Sequence, residues 1–199
     1  MRRRTGLCLM ELGTVLMMLA LFLFLYNRWE AGQAQEAAEQ AVAGLKQAME
    51  TAESSSFLKE VSSDGEEESV LEMDGYAYIG ILSISRFGLE LPVMWEWSYA
   101  GLKLAPGRYS GKAADGDLVI CAHNYERHFG KISTLEAGDE IIFTSVDGRI
   151  YQYEVTEVLI LEPTDIEELM DGEWDLSLFT CTYGGRTRVV VRCIFAGQE

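Results

Sequence analysis

The chain has 199 residues, 48% hydrophobic and 24% charged, enough for one modest domain with an appendage. Its formal charge of −16 excludes routine nucleic-acid binding, which needs a basic face against phosphate. The charge is uneven: residues 1–29 carry +3, residues 30–74 carry −10 and residues 75–199 carry −9, so acidity concentrates ahead of a body of ordinary composition.

The chain opens with Arg2-Arg3-Arg4, followed by Leu7 to Tyr26, a run whose only charge is Glu11. About 20 apolar residues span a ~30 Å hydrocarbon core. Tyr26, Arg28 and Trp29 then supply side chains that favour the headgroup layer. Residues 1–6 therefore read as a cytoplasmic basic tail and residues 7–26 as a transmembrane helix in membrane lipid. The positive-inside rule sends the rest of the chain across the membrane. A cleavable signal peptide is the competing reading; its apolar core is normally shorter, and no convincing small-x-small site directly follows Tyr26.

Residues 27–74 read as an acidic stalk. Their first part (30–50) is rich in Ala, Glu and Gln and favours helix. Residues 51–74 are rich in Ser and acids, have little to bury, and read as a flexible linker.

From Tyr76 the texture changes to short β-type runs: 77–84, 89–94, 117–123, 140–144, 151–155, 176–181 and 188–192. Turn signals such as Asp147-Gly148 and Gly184-Gly185 separate several of them. Only Ser98–Leu104 and Asp165–Met170 read as helical, for a turn or two each, so residues 75–199 form an all-β barrel or sandwich.

Cys8, Cys121, Cys181 and Cys193 show no Cys-x-x-Cys spacing, which removes the usual zinc frameworks. Cys181 ends an apolar run just before Gly184-Gly185. A two-residue hairpin turn there sets Tyr183 opposite Arg186, Thr182 opposite Thr187 and Cys181 opposite Arg188. Opposed residues share a face with Cβ atoms about 4.5–5.5 Å apart, so the thiol and the guanidinium become neighbours. A nearby cation lowers a thiol pKa and stabilises an oxyanion. The competing reading of Cys181 is a small buried hydrophobe, and that reading is kept for Cys121 and Cys193. Cys121 shares a face with His123 by two-residue alternation.

Of the two histidines, His123 closes an apolar strand, whereas His128 lies in the polar run Glu126-Arg127-His128-Phe129-Gly130. Cys–His catalysis needs a ring that reaches the sulfur and carries a proton to the leaving amine, and a strand end holds His123 for that role. The acids between Asp165 and Glu173 read as a solvated face. No P-loop or dinucleotide fingerprint is present.

Ser177-Leu178-Phe179-Thr180-Cys181 resembles the Thr-Leu-x-Thr-Cys signature of sortases, the Gram-positive surface transpeptidases. The resemblance covers about residues 75–197: Ala77–Ile84 resembles the first barrel strand, Leu118–Tyr125 the catalytic-histidine strand, and Arg188–Arg192 the last strand with its arginine. Ser177 replaces the first Thr of the signature, and Ala122 stands where Gly commonly precedes the histidine. The turn before Arg188 is shorter than in many members, which keeps Arg186 as runner-up; Arg192 lies further along the same face.

The resemblance implies an eight-stranded β-barrel facing outward from the plasma membrane on a single-pass anchor. It implies Cys181 as nucleophile, His123 as acid and base, and Arg188 as holder of substrate or oxyanion, with Thr180 and Arg186 in substrate binding. Implied partners are secreted proteins with an LPxTG-like C-terminal sorting signal, and an amine acceptor in a peptidoglycan precursor or another surface protein. The covalent route requires no cofactor and no metal site is assigned, although the residues leave bound calcium open. The lack of a second apolar span or a lid motif argues against pilus-polymerising class C, and no long class B helix is evident. A class D or A-like member is expected. The alternatives are a membrane-tethered cysteine protease using water, and a non-catalytic β domain that binds an envelope partner.

Overall fold

A computed structural model describes the backbone of residues 2–52, 59–63, 66–170 and 173–198, and the side chains of 10–29, 38–50, 69–170 and 173–197. One long helix, α1 (Arg2–Ala52), leads into strands β1 (Lys59–Ser63), β2 (Glu66–Met73), β3 (Tyr76–Ile84), β4 (Leu89–Met94), β5 (Gly107–Ser110) and β6 (Leu118–Ala122). Strands β7 (Glu140–Ser145) and β8 (Ile150–Leu161), the short helix α2 (Ile166–Leu169), β9 (Leu176–Cys181) and β10 (Arg188–Gln198) follow. The sheet runs β3-β4-β5-β6-β9-β10-β8-β7, and β7 pairs back onto β3, so eight strands close a barrel. The β1–β2 hairpin extends it beside β3.

Alternation divides each strand between two environments. Leu118, Ile120 and Ala122 of β6, Leu176 and Leu178 of β9, and Val189, Val191 and Cys193 of β10 point into the barrel core. Their neighbours Val119, Cys121, Phe179 and Val190 point outward and pack with Leu102, Leu161 and Leu169. A second apolar layer thus lies outside the barrel, beneath α2.

The residues from Met10 to Trp29 make the one described helical segment long and apolar enough to cross a membrane, and none of it is buried. Beyond it the same helix docks on the barrel. Ala38, Val42 and Leu45 recur at helical spacing and are buried, with Val42 and Leu45 packed among Leu71, Tyr78, Ile81 and Met94. Lys46 donates to both carboxylate oxygens of Glu90 at 2.7 Å. Both partners are about half exposed, so the pair adds at most about 1 kcal/mol and the apolar stripe is the main adhesive.

The structure departs from the sequence reading in three places. The segment read as a flexible linker carries β1 and β2; Val70 and Leu71 are buried, and two apolar residues suffice at a sheet edge where the average composition is polar. Residues 53–58 and 64–65 of that segment lie outside the described residues. The helical reading of Ser98–Leu104 shrinks to a 3-10 turn at Gly101–Lys103. Strand β5 was not anticipated: its sequence, Gly-Arg-Tyr-Ser, has no apolar run. It lies so close to the preceding segment that a Cβ on Gly107 would meet the Trp97 Cα at 2.8 Å.

Candidate active site

The site is built on three neighbouring strands. Strands β6 and β9 run parallel with Val119 beside Ser177 and Cys121 beside Phe179. Strands β9 and β10 run antiparallel with Ser177 beside Arg192, Phe179 beside Val190 and Cys181 beside Arg188. The outward-facing residues therefore form a grid of three rows. The lowest row is Val119–Ser177–Arg192 and the middle row is Cys121–Phe179–Val190. Continuing the β6–β9 register by one residue beyond Ala122 and Thr180 gives the top row, His123–Cys181–Arg188. With strands about 4.8 Å apart, an imidazole, a thiol and a guanidinium arrive at one sheet end.

All three top-row residues line a cleft of about 250 Å³. Its floor is Cys121 and Phe179 of the middle row together with Leu102 and Tyr109, and α2 forms one wall through Ile166 and Leu169. The opposite rim carries a chain of rings: Tyr99 meets Trp97 edge-on at 5.5 Å, Trp97 stacks on Tyr109 at 5.8 Å, and Tyr109 meets Phe179 edge-on at 5.2 Å. Beneath the top row, the Thr180 hydroxyl donates to the Ala122 carbonyl at 2.8 Å. That bond ties β6 to β9 one residue before His123 and Cys181.

The hairpin after Cys181 keeps the expected register at Cys181 and Arg188 but is wider at its tip. The Thr182 amide donates to the Thr187 carbonyl at 3.0 Å and the Gly185 amide to the Thr182 carbonyl at 2.8 Å. Gly184 and Gly185 both have positive φ, 83° and 69°, which their lack of a side chain permits. The turn is thus closed from Thr182 to Gly185, not across Tyr183 and Arg186. Arg186 lies exposed at this tip and does not line the cleft. Arg188 is half-buried, its Nη1 3.4–3.5 Å from the carbonyl oxygens of Thr187 and Gly185.

The cysteines differ in setting. Burial pushes the Cys121 thiol up to about 12, and burial likewise raises the Cys193 thiol, so both stay protonated at neutral pH. Cys181 is the partly exposed one.

The histidines differ too. His123 lines the cleft and its ring lies 5.0 Å from Tyr125. His128, which the polar run around it placed in an open loop, is 1% exposed, and its ring lies 5.5 Å from the other side of the pair at Tyr125. Neither of its ring nitrogens has a hydrogen-bond partner among the described residues. Burial, and secondarily His123, lowers its pKa to about 4. Among the described residues no group of three or more His, Cys, Asp or Glu is placed to hold a metal ion.

Sequence reasoning missed most of the cleft walls: Leu102, Tyr109, Ile166 and Leu169 carry no motif, whereas the Trp95-Glu96-Trp97 pair reads as packing on the barrel or edging a groove, and Trp97 does line the cleft. It also left Arg192 without a role. The signal was present in the alternation of 188, 190 and 192 against 177, 179 and 181.

A family model described as the sortase domain matches residues 82–195. The chain belongs to the sortase family. Among solved structures it is similar to sortase C1 of Streptococcus agalactiae, at 24% identity over 64% of this chain and 72% of that one, with a TM-score of 0.57. It is also similar to sortase C1 of Streptococcus suis, at 26% identity over 60% and 73%, with a TM-score of 0.52. A Clostridium perfringens sortase D5 transpeptidase matches at 20% identity over 81% and 99%, with a TM-score of 0.59. No curated protein matches.

The expectation of a class D or A-like member is overturned, because class C enzymes predominate among the similar structures. That expectation leaned on flanking features, a missing second apolar span and a missing lid motif, whereas the likeness rests on the barrel. Family membership and fold together support a transpeptidase-like activity in general.

Proposed function

We propose that this chain is a membrane-anchored cysteine transpeptidase acting on an LPxTG-like sorting signal in secreted proteins. The observation that carries the reading is the top row of the grid, His123–Cys181–Arg188, at the mouth of an apolar cleft. The Cys181 thiolate attacks a backbone carbonyl of the signal, and Arg188 donates hydrogen bonds to the substrate or to the developing oxyanion. The peptide C–N bond breaks as protonated His123 gives its proton to the leaving amine, and the N-terminal part stays on sulfur as a thioester. Neutral His123 then takes a proton from an incoming amine, which attacks the thioester and regenerates the thiolate.

The apolar floor of Phe179, Leu102 and Tyr109 suits the aliphatic part of such a signal, while Thr180 supports the reacting row from below. The segment from Met10 to Trp29 serves as the single anchor, with Arg2–Arg4 in the cytoplasm and the barrel outside. The acceptor is an amine of a peptidoglycan precursor or of another surface protein.

The test is product analysis with a Leu-Pro-Glu-Thr-Gly peptide, with and without triglycine or a diaminopimelate-type amine. Amine-dependent ligation product supports transfer; cleavage that never yields an adduct makes the protein a hydrolase. Turnover that survives Cys181→Ala removes the proposed covalent route.

A further inference from the structure

Arg192 is 2% exposed and stands on the lowest row of the grid, below the cleft. Its Nη1 donates to the Leu169 carbonyl at 2.9 Å and to the Ser177 hydroxyl at 2.7 Å, and its Nη2 donates to the Glu168 carbonyl. The two carbonyls belong to the C-terminal end of α2; the Glu168 carbonyl also accepts from the Met170 amide, and the guanidinium supplies further donors to this last turn. A cation there also meets the negative end of the aligned peptides. Ser177 is the cross-strand neighbour of Arg192, so its hydroxyl fixes the guanidinium from the sheet side. Beside Arg192 the pairing of β10 with β8 shifts register between Arg192 and Cys193, a local irregularity of the kind that re-aims a side chain.

Helix α2 has only four residues, Ile166–Leu169, too short to be stable without tertiary support. Its outer end is held by Asp165, whose Oδ2 accepts from the Glu162 amide at 3.1 Å. Its inner face rests on Leu169, packed with Phe179 and Val190. Ile166 and Leu169 form a cleft wall. Whatever holds Glu168 and Leu169 in place therefore sets the width of the cleft.

We propose that Arg192 and Ser177 form a buried clamp that fixes α2 as a wall of the cleft, making both positioning residues for substrate recognition. The clamp acts on α2 and not on the reacting row, which stands at the other end of the grid. It gives the first position of the Ser-Leu-Phe-Thr-Cys segment a task of its own: a hydroxyl that accepts from Arg192, which Ser and Thr both supply and Ala and Val do not. The kinetic part of the claim rests on the transpeptidase reading; the structural part does not.

The experiment uses the full chain in detergent micelles with Ser177→Val, Ser177→Thr and Arg192→Met, and reads hydrogen exchange together with peptide kinetics. In Ser177→Val and Arg192→Met the amides of Leu169 and Met170 are expected to exchange about tenfold or more faster, the scale of one lost charge-assisted bond. Amides of β7 and β8 remain as in the parent, and Ser177→Thr restores the parent rate. With the Leu-Pro-Glu-Thr-Gly peptide, KM rises several-fold while kcat stays within about twofold, the pattern of lost binding common to ground and transition states. Unchanged α2 exchange in Ser177→Val overturns the clamp, and so does a fall in kcat with KM unchanged. Should Arg192→Met fail to fold, Ser177→Val decides the matter alone. If the parent shows no turnover of this peptide, the transpeptidase reading fails while the exchange result still judges the clamp.

Discussion

Arg188 and Arg192 stand four residues apart on one face of β10, yet they occupy different surroundings. Arg188 lies half-buried at the cleft mouth, and among the described residues its hydrogen bonds are long ones to hairpin carbonyls. Arg192 is enclosed, and its guanidinium is committed to a hydroxyl and two helix-end carbonyls. A guanidinium loosely held beside a thiol is suited to meeting a ligand, whereas one already saturated by the protein is suited to holding it together. One residue type on one strand face thus meets two settings, one open to a ligand and one closed by the protein.

The sharpest way to break this contrast is activity. Arg188→Ala is expected to lower kcat/KM for the sorting peptide about 10²- to 10³-fold, as for loss of a major oxyanion donor. Arg186→Ala, at the exposed tip, is expected to stay within about twofold, and peptide cleavage measured side by side checks both. The reverse ranking would mean that the hairpin brings the other arginine to sulfur.

The histidines repeat the contrast and give a pH test. His128 titrates at about 4 when folded against 6.5 as its ordinary value, so between these pH values the unfolded chain binds more protons. Its contribution to stability is intact above about pH 6.5 and is lost as pH falls towards 4, by about 3 kcal/mol in total. Urea unfolding across that range should show the fall, and His128→Phe should flatten it.

Stability separates the arginines in turn. Arg192→Met is expected to cost about 2 kcal/mol by stranding buried acceptors, while Arg188→Ala stays within about 0.5 kcal/mol. Thermal melts with matched urea midpoints measure both. The smallest effect belongs to the turn: Gly185→Ala, at φ 69°, should cost about 1 kcal/mol and reduce turnover a few-fold by disturbing the Cys181–Arg188 register.

The juxtaposition of Cys181 and Arg188, on which the proposed reacting row depends, was legible because it rests on local rules. Two-residue alternation, one glycine pair and the end of an apolar strand were enough to place Cys181 beside Arg188. His123 joined them as the histidine that closes an apolar strand, in a segment that also resembles the family's histidine strand. Most of the cleft was not legible, since Leu102, Tyr109 and Ile166 meet only through contacts distant in sequence and none bears a distinctive motif. Composition hid β2, where an acidic run masks the buried pair Val70 and Leu71. The Asp74-Gly75 turn that follows them was the overlooked cue, since it joins β2 to β3 as a tight hairpin. His128 was misjudged for the same reason: charged neighbours said nothing of the ring packed beneath them.

Helix α1 runs unbroken from its apolar segment to the flank of the barrel. A domain carried this way stands on a stem and not on a string. From Trp29 to Ala38, which is buried, the rise is only about 14 Å. Rotation of the stem about its own axis therefore turns the cleft mouth with it, so the compass bearing of the cleft is written into the pitch of one helix.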